Sequence, residues 1–204
     1  DLGILYAFAA PEASVKNQAL SQILARHLRV RAFETLRTEE QLGYAAGGGA
    51  LDLYKHPMVI LYIQTPVKGP QEMLDRFTAY TEEYRDELAA LPEASFEKFK
   101  AGVLTALTEP PKNLSAEAGP FVSDWAIEHY DFDTRTKLIA AVNAATLQDV
   151  QRFYEETVFS EASSRIVIQL RGKRYSERPF ATVDGGVVID DIDKFHNDMP
   201  VQAR

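Results

Sequence analysis

Residues 33–49 read FETLRTEEQLGYAAGGG, and the passage from the first half of this stretch to the second decides the fold. Upstream, Leu20, Ile23, Leu24 and Leu28, then Val30, Phe33 and Leu36, recur at helical spacings from about Ser14. The pattern predicts one long helix ending near Leu42, with Gly43 supplying the left-handed residue past its end. The run of alanine and glycine that follows opens a strand over Tyr44–Leu53. The stretch is therefore a helix-to-strand corner, and it holds an arginine, a tyrosine and three consecutive glycines.

Working outward, Ile4–Ala9 reads as a buried strand closed by Pro11. After the corner, a turn at Lys55, His56 and Pro57 leads into MVILYIQT (Met58–Thr65), apolar enough for the middle of a sheet. Pro70 opens a helix with Met73, Leu74, Phe77, Tyr80, Tyr84 and Leu88 on one side. Pro92 opens another, with Phe96, Phe99, Val103, Leu104 and Leu107 at 3-4 spacing. Two more helices are expected, at Ala116–His129 and after Thr146, where Thr146 and Asp149 form a capping box. SRIVIQL (Ser164–Leu170) alternates like a strand that rejoins the sheet. This order is not the alternation of a doubly wound parallel sheet. It predicts an α+β fold, a two-layer sandwich of a mostly antiparallel sheet with helices packed on one face. Residues 1–204 are read as a single domain, with 171–204 an acidic C-terminal extension.

Composition narrows the function. The 204 residues carry a net charge of −8, which argues against a nucleic-acid surface. There is no cysteine, hence no disulfide and no thiolate chemistry. No apolar run reaches the ~18 residues of a membrane span. The chain opens on Asp1 without a leader-like segment, which predicts that it begins partway through something longer.

The histidines, His27, His56, His129 and His196, form no H-E-x-x-H or H-x-x-E-H pair, so no helical zinc site is expected. Trp125–His129 is the nearest approach, with tryptophan where a ligand would stand. Gly47–Gly49 lacks a phosphate-cradle pattern; it reads as a strand close to another backbone, or as a bare strand beside which a peptide could lie. Arg37, four residues after Phe33 and seven after Val30, projects to their side of the helix. Two readings stand side by side. Arg37 could be a helix-end cation paired with Glu34, and Tyr44 a half-buried strand tyrosine. Alternatively, the two present a guanidinium and a neutral phenol donor to a peptide carbonyl or a developing oxyanion.

FETLRTEEQLGY (Phe33–Tyr44) resembles a signature of the C-terminal quarter of the pitrilysin and insulin-degrading-enzyme family of zinc metallopeptidases. The likeness extends through PPKNLSAEA, WAIEHYDFD and the MP at Met199. It implies the mitochondrial-processing-peptidase-like metallohydrolase fold, and four homologous domains that close as a clamshell around a chamber. The zinc would belong to the parent's N-terminal domain, with no cofactor and no metal ligand in this quarter. By the same resemblance, Arg37 and Tyr44 are auxiliary catalytic groups that contact substrate and the tetrahedral intermediate, with Gly47 and Gly48 leaving room for peptide. The chain departs from the family at Ala45–Gly49, where members carry bulkier, more polar residues, so subsite preference would differ if that stretch lines the chamber.

The resemblance thus implies the last, metal-free domain of a zinc endopeptidase that degrades peptides and small proteins, inactive when isolated. Its partners would be the N-terminal half of the same peptidase and peptide substrates, with no nucleic acid and no membrane. The compartment would be periplasmic if the parent is of the bacterial protease III-like type, and otherwise cytoplasmic. The competing reading is a non-catalytic structural or partner-binding subunit of a related peptidase complex. An apolar face for a neighbouring domain is expected on the helical side.

Overall fold

The computed structural model describes residues 1–53, 55–161 and 163–198. Strands β1 (Leu2–Ala9), β2 (Ala45–Leu53), β3 (His56–Thr65) and β4 (Arg165–Arg171) form one sheet in the order β2-β3-β1-β4, antiparallel throughout. The apolar run expected in the middle of the sheet is β3, flanked by β2 and β1. Its register against β1 runs from Leu2 opposite Thr65 to Ala9 opposite Met58.

Because side chains alternate along a strand, one set faces the helices. Leu2, Ile4, Tyr6 and Phe8 of β1 and Val59, Leu61 and Ile63 of β3 are buried in one core cluster. From the helix layer come Leu20, Ile23, Leu24 and Leu28 of α1 (Val15–Ala32) and Met73, Phe77, Tyr80 and Tyr84 of α2 (Pro70–Ala89). Each buried side chain of this size contributes roughly 1.5–3 kcal/mol. The layer is completed by α3 (Glu93–Thr108), α4 (Leu114–Ala126), α5 (Thr134–Ala144) and α6 (Leu147–Val158). The short helix α7 (Ile192–Asp198) lies in the tail. The α+β class stands as expected.

The chain ends of these helices follow local chemistry. Ser14 caps α1 by accepting from the Asn17 amide, and Asn113 caps α4 by accepting from Ala116. The Thr146–Asp149 capping box at α6 forms as its spacing required.

Three expectations are corrected. The long helix does not run as an α-helix to Leu42: its last part, Phe33–Glu39, is π-wound, and the Glu40 amide reaches back to the Thr35 carbonyl. The left-handed residue after it is Gln41 (φ 52°), not Gly43. Gly43 is needed for a close approach instead, since a Cβ there would sit 2.1 Å from the Gln64 carbonyl oxygen. The helix expected to reach His129 stops at Ala126, where the chain turns and Glu128 takes φ 59°. Helices α5 and α7 have no counterpart in the sequence reading. In α5 only Leu138 and Val142 are buried, too few for a periodic stripe to show.

Two groups of exposed apolar side chains stand on the two layers. Phe121, Val122 and Trp125 stand out on α4, on the helical side as expected. The sheet's other face is also apolar and lies open towards β4, at Tyr62, Ile166, Ile168 and Leu170, which the sequence reading did not anticipate. Among the described residues, no helix is long and apolar enough to cross a membrane.

Candidate functional site

The π-wound turn ends in a corner whose parts are held from three sides. The Leu42 amide donates to the Leu36 carbonyl at 3.0 Å, and the Thr65 hydroxyl donates to the Leu42 carbonyl at 2.5 Å. Glu40 receives Arg76 of α2 through both carboxylate oxygens, and Arg76 also reaches Glu83. With Leu36 fully buried beneath, the backbone from Phe33 to Tyr44 is fixed to the body of the fold.

On this base Arg37 lies between two aromatic rings. Its guanidinium carbon is 4.6 Å from the Phe33 ring centroid and 4.7 Å from that of Tyr44. Glu34, the partner that helical spacing suggested for Arg37, is taken instead by Arg31 at 2.5 Å. Arg31 in turn holds Glu87 through two bonds of 2.8 Å, which keep that carboxyl below the usual glutamate range. Among the described residues, Arg37 has no hydrogen bond or ion pair to a carboxylate, while Tyr44 is 84% exposed. Ring contacts on the faces of a guanidinium leave its in-plane N–H donors free. The corner thus presents a cation and a phenol hydroxyl side by side to solvent. Sequence reading paired Arg37 with Tyr44 but gave Phe33 no part in the site. The signal was its place one turn before the arginine.

Gly47 and Gly48 lie beyond the corner on β2, and both are buried. At Gly48 a Cβ would meet Leu28 Cγ at 2.6 Å, so this glycine lets α1 lie close on the sheet. At Gly47 it would meet the Tyr62 hydroxyl at 2.9 Å, on the opposite face. At both positions the close neighbours are side chains, of Tyr62 and of Leu28 and Leu61, and not another backbone.

The zinc implied by the resemblance has no matching ligand set at this corner. Among the described residues, the grouping of candidate ligands is His129, Asp131 and Asp133, with ligand atoms within 4.8 Å of one another. Asp133 is already engaged by His129 and by Lys137, each at 2.9 Å, and these bonds lower its pKa. A lysine holding the central carboxylate, with two of the three residues of the group carboxylates on a turn, does not fit a zinc site.

With this geometry in view, the chain's relatives give it a class. It is homologous to the C-terminal region of the pitrilysin and insulinase-like zinc peptidases. Within that class, residues 23–122, which contain the whole corner, match the family described as PQQ synthase PqqF-like, C-terminal lobe domain 4. Protease 3 of Escherichia coli is 24% identical over 188 residues, covering 92% of this chain and 20% of that protein. The A-factor-processing enzyme of Saccharomyces cerevisiae is 27% identical over 187 residues, covering 89% and 18%. The chain thus spans about a fifth of the length of these relatives. Its fold matches the crystal structure of pitrilysin with a TM-score of 0.86 at 23% identity, over 98% of this chain and 22% of that one. It also matches the inactive peptidase domain of a putative zinc protease from Bordetella parapertussis, with a TM-score of 0.64 at 17% identity over 84% of this chain and 92% of that one.

Proposed function

We propose that this chain is the metal-free C-terminal domain of a zinc metalloendopeptidase, and that Arg37 and Tyr44 contact the substrate and its transition state. The carrying observation is the guanidinium held between Phe33 and Tyr44 with no carboxylate partner among the described residues. A peptide carbonyl is an acceptor, and its oxygen gains negative charge as the peptide bond is attacked. The Tyr44 hydroxyl donates to that oxygen, and the Arg37 fork holds the neighbouring backbone carbonyls. The domain itself supplies no nucleophile and no metal. Residues 1–204 act as one unit that closes the chamber against the N-terminal half of the same polypeptide, where zinc would be bound.

The test is steady-state cleavage of a quenched fluorescent peptide by the full-length parent. Tyr44→Phe is expected to lower kcat about 10²- to 10³-fold, the usual effect of losing one oxyanion donor, with folding and zinc content unchanged. Arg37→Ala is expected to raise KM more than it lowers kcat, and Arg37→Lys to restore little, since a point charge lacks the planar fork. A Tyr44→Phe enzyme with wild-type kcat would overturn the proposal. It would favour a purely structural or partner-binding subunit, a reading to which the fold match with an inactive peptidase domain lends its support.

A further inference from the structure

Helices α1, α3, α4 and α5 leave a cavity of about 610 Å³ between them, a volume within the range of small-molecule sites. None of its lining residues belongs to the Arg37–Tyr44 corner. Its walls are apolar at Leu107, Pro111 and Leu138. Three polar side chains line it from three different helices: Gln22 of α1, Asp124 of α4 and Arg135 of α5.

Asp124 is the buried member, 4% exposed. Among the described residues its carboxylate has one hydrogen bond, a long one of 3.4 Å from the Thr134 amide to Oδ2, and no ion pair. Lys137 feels its charge but is held by Asp133 at 2.9 Å. Among the described residues, the enclosed side-chain oxygens without a bond are the Tyr80 and Thr157 hydroxyls. Oδ1 of Asp124 is therefore not enclosed, and it is reached from the cavity that Asp124 lines. A carboxylate this deep is costly without a cation or further donors.

Arg135 supplies the opposite charge. Its Nε donates to the Leu107 carbonyl at 2.7 Å and its Nη2 to the Glu109 carbonyl at 3.1 Å, which fixes the guanidinium at the end of α3. Among the described residues Nη1 makes no hydrogen bond, and Arg135 has no carboxylate partner. The other two charges on the wall, Glu109 and Lys112, neutralise each other at 2.7 Å. The Gln22 side-chain amide has no hydrogen bond among the described residues either. An anion, a cation and an amide, none of them paired with another, thus line one apolar-walled cavity.

We propose that this cavity binds a small zwitterion with an apolar side chain: a free amino acid, or a short peptide with both ends uncapped. The ligand's ammonium meets Asp124, its carboxylate meets Nη1 of Arg135, and its side chain packs on Leu107 and Leu138. Gln22, both donor and acceptor, can serve either end. A simple cation would leave Arg135 unpaired and a simple anion would leave Asp124 unpaired, so the two charges together select a molecule that carries both. The proposal is independent of the Arg37–Tyr44 corner.

Isothermal titration calorimetry of the 204-residue chain with L-leucine and with alanyl-leucine tests it. At least one of the two is expected to bind with a Kd of about 1 mM or tighter. Tighter binding of leucine assigns the cavity to amino acids, and tighter binding of the dipeptide assigns it to peptide ends. Capping either end of the bound ligand, as the N-acetyl or the C-terminal amide form, is expected to weaken it at least about 10-fold, the usual effect of losing one charged hydrogen-bonding partner. Asp124→Asn is expected to erase the preference for the free ligand over its N-acetyl form, and Arg135→Gln the preference over its amide. Each preference is a ratio within one variant, so a change of stability that affects all ligands alike cancels. Should a variant not fold, the capped ligands on the wild type decide the matter alone. No binding of either ligand at about 10 mM would overturn the proposal. Capped forms that bind as well as the free ligand would also overturn it, as would folded variants that keep both preferences.

Discussion

Single residues decide how tightly the corner is built. Gly43, Gly48 and Gly49 are separated by little in sequence and by much in the space around them. Gly43→Ala would press a Cβ against backbone at Gln64, and Gly48→Ala would press one against Leu28, while at Gly49 the nearest atom is 4.0 Å away. Overpacking costs typically about 1–3 kcal/mol, so thermal denaturation is expected to rank Gly43→Ala as most harmful and Gly49→Ala as nearly neutral. Adding Leu28→Ala to Gly48→Ala should return part of the loss, through the space it opens. An equal effect at the three glycines would refute this account.

His27 is a second residue with a predictable consequence. Burial lowers its pKa below the usual histidine value, with Glu87 opposing and Arg31 assisting. The Tyr84 hydroxyl, kept protonated by its own burial, lies 2.9 Å from Nδ1 and shares a hydrogen bond with it. The unfolded chain therefore binds a proton at a higher pH than the folded one. Stability from this group is complete above about pH 6.5 and is lost as pH falls from there through the lowered folded pKa. His27→Gln is expected to flatten that part of a stability-versus-pH curve measured by urea unfolding. A curve as steep as the wild type's would show that other groups carry the dependence.

At the scale of elements, the π-wound turn is what sets Arg37 against Tyr44. A π-turn holds one residue more than an α-turn, and such turns are frequent at functional sites. Deleting Glu39 is expected to restore α-helical winding, rotate Arg37 away from Tyr44, and abolish peptide cleavage by the parent while far-UV circular dichroism stays near wild type. Retained activity would mean that the corner needs no such winding. The cap of α6 gives a simpler expectation. Thr146 and Lys16 hold Asp149 down to about 2, so its contribution is present above the normal aspartate range and is lost as pH falls towards that value. Thr146→Ala removes the cap oxygen and is expected to cost roughly 1 kcal/mol in a denaturant titration at neutral pH.

For the whole molecule, the separation of functions between domains has its own test. With Asp133 engaged by Lys137 and no matching ligand set at the corner, the isolated chain is expected to hold no stoichiometric zinc and to cleave no peptide. Elemental analysis after dialysis, together with a peptide assay, checks both. About one tightly held zinc per chain would contradict the reading of a metal-free domain.

The sequence alone was enough for the features that depend on neighbours along the chain. Strand alternation, helical spacing in α1, α2 and α3, and the Thr146 box are local patterns, and together they specify an α+β fold with β3 inside the sheet. The resemblance carried by Phe33–Tyr44 likewise singled out Arg37 and Tyr44 as a pair. Tertiary structure decided what depends on groups distant in sequence. Glu34 turned from Arg37 to Arg31 because Arg31 is also braced by Glu87 from α2. Gly43 met Gln64, and Gly48 met Leu28, only once helix and sheet were stacked. The winding of Phe33–Glu39 follows from fitting a helix pinned by Leu36 and Glu40 onto a strand whose register is set by β3. Such fits balance contacts across the core, and residue order carries no period that announces them.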